Sequence, residues 1–158
     1  MSVCGLFELE TARNLLEKAQ HDLGRLRANP LDTYAAFDLF VTGRHIPDWV
    51  YPDSLFPDGA AKVALFKQHI ELRVCRHIAE GAKHFVVEDK RHRQVKSTSK
   101  SESAWGDAWG DSWGDSWGER ALIIELDPSD PDTAILGKRI LALDLGERVV
   151  KLLESIVP

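Results

Sequence analysis

From Leu9 the apolar positions fall at Leu9, Ala12, Leu16, Ala19, Leu23 and Leu26, three and four residues apart, which predicts a long helix with one buried stripe. Asn29-Pro30 ends it, because the proline ring excludes the α conformation at the preceding residue. Asp32 then stands at the N-cap of a second helix, with Tyr34, Phe37 and Val41 on one face and Phe40 beside them. Gly43 and Pro47 are expected to end that helix near Arg44-His45. The stretch from Trp49 to Gly59 holds Pro52, Asp53, Pro57 and Asp58 and reads as a loop. Asp58 is placed to cap a third helix, whose stripe Val63, Phe66, Ile70, Val74 and Ile78 runs as far as Gly81.

After Gly81 the period changes. His84 to Glu88 is short and β-branched and predicts a strand; Ala121 to Leu126 predicts a better one. The turn formers of Asp127 to Asp132 follow, and Ile135 to Leu143 returns as the second arm of a hairpin with a long loop. Asp144 caps a last helix carrying Leu145, Val149, Leu152, Leu153 and Ile156. The expected class is α+β: a three-helix N-terminal bundle, a small antiparallel hairpin or sheet, and a C-terminal helix. One domain, 1–158, accommodates all of it, with a helical part at 5–83, a strand and loop part at 84–143 and a helix at 145–157.

Composition narrows the function classes. A chain of 158 residues that is 44% hydrophobic suits one core. Twenty Lys and Arg against 25 Asp and Glu leave a net charge of −5, which excludes a globally basic nucleic-acid coat but leaves room for a local basic patch. No uncharged apolar run approaches the ~18 residues of a membrane span. Glu8, Glu10 and Arg13 stand where a signal peptide carries its apolar stretch, so the expectation is a cytoplasmic protein. Cys4 and Cys75 make neither a disulfide framework nor a zinc knuckle, and no cofactor or metal is expected.

Residues 104–119 read AWGD, AWGD, SWGD, SWGE, four copies of one tetrapeptide. As a helix the tract would carry four glycines, at a cost of roughly 4 kcal/mol. In an extended chain, alternation puts Trp105, Asp107, Trp109, Asp111, Trp113, Asp115 and Trp117 on one face, with only Ala, Ser and Gly opposite. A string of turns is a third arrangement. Exposed, such a strip is adhesive, and a patch of four tryptophans points to a protein partner or to self-association. Its negative charge argues against naked nucleic acid. The spacing of Asp107, Asp111 and Asp115 matches neither the EF-hand nor the nonapeptide calcium pattern. The alternative is a coding unit duplicated by slippage and tolerated as a surface loop.

Immediately upstream, Lys83, Lys90, Arg91, Arg93, Lys96 and Lys100 face only Glu88 and Asp89, a net +4. Lys90, Arg91, Arg93 and Lys96, with hydroxyls from Ser97, Thr98 and Ser99, form a candidate phosphate-binding strip. Mutual neutralisation with the acidic repeat, or a solvated face, is the other reading.

Arg73, His77, Glu80 and His84 are spaced by four, three and four, and project from one side of the third helix if it continues past Gly81. A carboxylate flanked by two imidazoles, with an arginine above, suits general acid–base chemistry on a phosphodiester. A hydrated helix face, with Glu80 pairing with His77, His84 or Arg76, is the alternative. A helical hairpin followed by a helix bearing Arg and His resembles the HEPN families of small helical bundles, many of them RNases of toxin–antitoxin and phage-defence systems. Those enzymes space Arg and His by four to six intervening residues. Here Arg73 and His77 have three between them, and Arg76 and His84 have seven. The segment RVCRHIAEG with the following AKHF is also similar to a core of uncharacterised bacterial proteins of similar size. The likeness covers at most residues 5–85, and it implies a helical bundle with RNA binding or cleavage.

Two functions are therefore expected to compete. One is a non-catalytic interaction or self-associating protein displaying the tryptophan strip. The other is a HEPN-like RNA-binding or RNA-cleaving protein of mobile-element or toxin–antitoxin type. The first accounts for the repeat, which an enzyme leaves unexplained, so no enzymatic activity is expected.

Overall fold

The computed structural model describes residues 7–83, 92–101 and 120–158. Its elements run α1 (Ala12–Ala28), α2 (Thr33–Val50), α3 (Ala60–Gln68), α4 (Ile70–Lys83), β1 (Val95–Ser101), β2 (Ala121–Leu126), a 3-10 turn (Pro131–Ile135), β3 (Arg139–Leu141) and α5 (Ala142–Ile156). The class is α+β, with a three-stranded antiparallel sheet. The strand expected at His84 to Glu88 lies outside the described residues.

The first helix follows the sequence closely. Thr11 and Asn14 form a reciprocal capping box, Asn14 N–H donating to Thr11 Oγ1 and Thr11 N–H to Asn14 Oδ1, both at 3.2 Å. Leu16, Ala19, Leu23 and Leu26 are buried as a stripe. The second helix departs from expectation twice. Asp32 caps it through Ala35 N–H at 2.8 Å, but the helix continues through Gly43 and Pro47 to Val50. A proline ring mid-helix crowds the carbonyl four residues earlier, and here that residue is Gly43. Gly43 serves close packing rather than termination: a Cβ there would lie 3.3 Å from Val149 Cγ1 and 3.4 Å from Cys75 Sγ.

The buried face of α2 is also not the aromatic one. Tyr34 is 79% and Phe37 50% exposed, whereas Ala35, Ala36, Leu39, Phe40 and Ile46 face the core. Small residues let α1 and α5 approach closely, and the bulkier ring edges are left outside. A Cβ on Gly146 of α5 would meet Leu39 Cδ2 at 2.6 Å, so this crossing leaves no room for a side chain.

The expected third helix is two. Asp58 acts one residue earlier than a cap, taking Ala60 N–H at 3.1 Å around Gly59, which is left-handed at φ 62°. The chain then breaks at His69, extended at φ −122° and ψ 105°. Phe66, Ile70 and Val74 are buried across the break, Val63 is 66% exposed, and Ile78 is partly buried. The break frees carbonyls at the end of α3, and Arg73 Nη1 satisfies two of them, Phe66 O at 2.9 Å and Lys67 O at 2.7 Å.

The sheet order is β1-β2-β3, with Ser101 opposite Ala121, Thr98 opposite Ile124, and Ile124 opposite Ile140. The strand expected over Ile135 to Leu143 shortens to three residues, because Ile135 belongs to the 3-10 turn and Gly137 adopts φ 93°. The last helix begins at Ala142, so Asp144 lies in its first turn instead of at the cap. There its carboxylate faces the positive end of the helix dipole. Leu145, Val149 and Leu153 of α5 are fully buried against α1, α2 and α4, and Ile124 and Leu126 close the core from the sheet side.

Candidate functional site

The polar face of α4 meets the sheet at a junction built around three residues. Arg73 reaches across to the 3-10 turn: Nε donates to Asp130 Oδ2 at 3.0 Å and Nη2 to Asp132 Oδ2 at 2.6 Å. Arg73 and Asp130 side chains are each 11% exposed. Burial pulls the Asp130 carboxyl upward, but hydrogen bonds from Arg73, from Gln94 and from the Asp132 backbone outweigh it and hold the carboxyl below its ordinary range. Gln94, 3% exposed, donates from Nε2 to Asp130 Oδ2 at 3.1 Å.

One turn along α4, His77 Nδ1 accepts two backbone N–H groups, from Gln94 and Val95, each at 3.1 Å. An acceptor at Nδ1 places the neutral ring's proton on Nε2. Burial, then the neighbouring His92 ring 6.1 Å away, push the imidazole below its ordinary value, and Asp127 partly offsets them. His77 thus seats the start of β1 on α4.

Two members of the expected acid–base group remain. Glu80 Oε1 lies 4.0 Å from Arg44 Nε of α2, and His84 lies outside the described residues. Arg44 and Arg76 place their guanidinium carbons 5.4 and 4.8 Å from the centre of the Phe66 ring, so α2 and α4 close over α3 through two cation–π contacts. Arg44 Nη1 also donates to Asp48 at 3.0 Å, and Lys62 donates to the same carboxylate at 3.0 Å. Cys75 is buried between α2 and α4, its thiol donating to Phe40 O at 3.3 Å and pushed up to about 12 by burial. A thiol with that pKa is no nucleophile at neutral pH.

Of the phosphate-binding candidates, Arg93 and Lys96 are exposed at the start of β1, while Lys90 and Arg91 lie outside the described residues. So do the interaction candidates Trp105, Trp109, Trp113, Trp117, Asp107, Asp111 and Asp115. What the structure adds is where their segment begins and ends. Ser101 and Ala121 are register partners, so residues 102–120 connect the two ends of one rung of the ladder.

Asp130, Asp132 and Gln94 were not foreseen as partners of α4. Asp130-Pro131-Asp132 reads as a turn, and Arg73 is one of several charged positions on α4 beside Glu71, Arg76, Glu80 and Lys83, so the sequence carries no signal that pairs the two. Among the described residues, no group of three or more His, Cys, Asp or Glu side chains is placed to hold a metal ion, and no helix is long and apolar enough to cross a membrane. The junction belongs to an α+β bundle whose polar residues fasten the sheet to the helices. No family model, curated protein or solved structure matches the chain.

Proposed function

We propose that this is a non-catalytic interaction protein, binding a protein partner or further copies of itself through the Trp-Gly-Asp strip at 104–119. The observation that carries the reading is the Ser101–Ala121 pairing. The β1–β2 ladder runs unbroken from Ser97 opposite Glu125 to the Ser101–Ala121 rung, the strip lies in the chain between the two residues of that rung, and the described strands pair with one another up to its two ends. Support also comes from the α4 face, where Arg73 is engaged by two carboxylates and two carbonyls, and His77 Nδ1 by two backbone donors. Those are the contacts of fasteners.

Deleting residues 104–119 tests the reading. Shortening the 102–120 connection to three residues changes closure entropy by only about 1.6 kcal/mol, so the melting temperature is expected to stay within a few degrees of the parent. Association, read by sedimentation velocity and by capture of a purified partner, is expected to be lost. A deletion variant that associates like the parent sinks the proposal. Purified protein that degrades RNA, with His77→Ala inactive, would establish the HEPN-like alternative in its place.

A further inference from the structure

His77 Nδ1 on α4 accepts the backbone N–H groups of Gln94 and Val95, each at 3.1 Å. A ring nitrogen that takes up a proton turns from acceptor into donor, so an imidazolium there would aim its own N–H at two others. Both bonds must break before the proton can settle. Two further bonds seat Gln94, one from its side-chain amide to Asp130 at 3.1 Å and one to its carbonyl from Asp127 N–H at 2.9 Å.

The chain marks where an opening of this contact would end. Beyond Val95 the register with β2 shifts, and the regular ladder begins at Ser97 opposite Glu125 and runs to Ser101. Those pairs do not depend on what lies before the shift. On the other side of α4, Leu72 and Val74 are fully buried in the bundle, and β2 and β3 pack on α5. Apolar contacts of that kind do not titrate, so acid acts on the entry of β1 and leaves them alone.

The charged groups around the ring set the direction. On α4 itself, Arg73 is engaged by Asp130, Asp132 and two carbonyls, Arg76 lies over the Phe66 ring, and Glu80 lies 4.0 Å from Arg44. From the segment before β1 the ring faces His92, 6.1 Å away, and from the end of β2 it faces Asp127, which is itself beside Lys96. Burial and then His92 favour the neutral ring, and Asp127 favours the charged one. Hydrogen bonds from Ser129 hold the Asp127 carboxyl below its ordinary range, so it is still ionised near pH 5. An imidazolium that has let go of the two amides therefore finds a carboxylate to receive it.

We propose that His77 is an acid-operated latch: its protonation releases Gln94 and Val95, the entry of β1, from α4, while the ladder from Ser97 onward and the helical bundle keep their places. The device makes attachment of the edge strand to the helices conditional on pH in the range where imidazoles titrate. Gln94 is 3% exposed when the latch is closed, and its release opens the buried Arg73–Asp130 pair to water.

Native-state hydrogen exchange followed by NMR on the full-length protein from pH 8 to pH 5 tests this, each rate being corrected for the intrinsic pH dependence of exchange. Protection of the Gln94 and Val95 amides is expected to fall about tenfold per pH unit below about pH 6.5, and to be indifferent to dilute urea because a local opening exposes little surface. Val149 of α5 is expected to stay at least about tenfold better protected and to respond to urea, and the cross-strand proton contacts between Thr98 and Ile124 to persist. In His77→Gln the two amides are expected to stay protected at every pH. The His77 ring nitrogen shifts of the parent supply a reading that needs no variant: an imidazolium at His77 with Gln94 and Val95 still protected overturns the latch. So does a His77→Gln protein whose two amides still open in acid, which would pass the role to His92 or Asp127. Equal loss of protection at Gln94, Val95 and Val149, with one urea dependence, would mean that acid unfolds the whole domain and that there is no latch.

Discussion

Gln94 ties three elements together from one position. Its backbone N–H goes to His77 on α4, its side-chain amide goes to Asp130 before the 3-10 turn, and its carbonyl accepts Asp127 N–H at 2.9 Å. The His77 bond requires an unprotonated Nδ1. The folded imidazole sits below its ordinary value near 6.5, so in acid the unfolded chain binds the proton more readily than the folded one. The stability from this contact is complete above about pH 6.5 and is lost as the pH falls below it. Urea midpoints measured from pH 8 down to pH 5 are expected to decline in the parent. They should decline less in His77→Gln, whose amide oxygen accepts a hydrogen bond but does not titrate. Equal slopes would show that His77 is not the group responsible.

Ion pairs at the same scale differ by burial. Removing Arg73 leaves Asp130 buried and uncompensated, an effect of about 3–5 kcal/mol for a buried pair. Lys62 pairs with Asp48 and with an Asp53 that is 83% exposed, and Lys62→Met is expected to cost under about 1 kcal/mol. Denaturant titration of Arg73→Met and Lys62→Met checks the ordering, and similar losses would contradict it.

Elements were legible in proportion to how much of their cause is local. The α1 stripe, β2 and α5 carry their apolar periodicity in the sequence, and the structure has all three. The break at His69 leaves no local mark, because what stabilises it is Arg73 reaching carboxylates 57 and 59 residues further on while capping α3. β1 has no apolar alternation at all; it is a strand because β2 offers it a ladder. Shared periodicity does not say which face of α2 is inward: Tyr34 and Phe37 stay exposed, because a tight crossing selects alanine and glycine. Of the candidate site, the residue types on α4 were readable, but their partners on the 3-10 turn and at the entry to β1 were not.

The same contrast yields mutational expectations. Tyr34→Ser and Phe37→Ser should each change stability by within about 0.5 kcal/mol, while Leu39→Ala, two residues on, should cost about 2–5 kcal/mol. Val74→Asp buries an unpaired charge at the centre of α4 and is expected to abolish cooperative unfolding by circular dichroism. A Phe37→Ser protein as damaged as Leu39→Ala would restore the aromatic face to the core.

At the scale of the whole molecule, Cys75 reports on the integrity of the bundle. It is buried where α2, α4 and α5 converge, and its thiol is held far from the thiolate form. In a Cys4→Ser background, alkylation at pH 8 is expected to be limited by opening of the core and to accelerate in step with destabilisation by Leu39→Ala. Alkylation as fast as that of a free thiol in the native state would mean that α2 and α4 part readily.

The single rung that residues 102–120 connect has a consequence for inheritance. Tandem units are prone to gain and loss when DNA is copied, and in most positions of a protein such changes would be purged as folding defects. Here, doubling the repeat would change the closure entropy by about 0.6 kcal/mol, a small share of the ~5–15 kcal/mol that holds a domain together. Copy number can therefore vary between lineages at little cost in closure entropy, and on the reading of the repeat proposed above each added unit would lengthen the binding strip. Selection on copy number would then fall on what the repeat does, through an accident of replication that costs the sheet little.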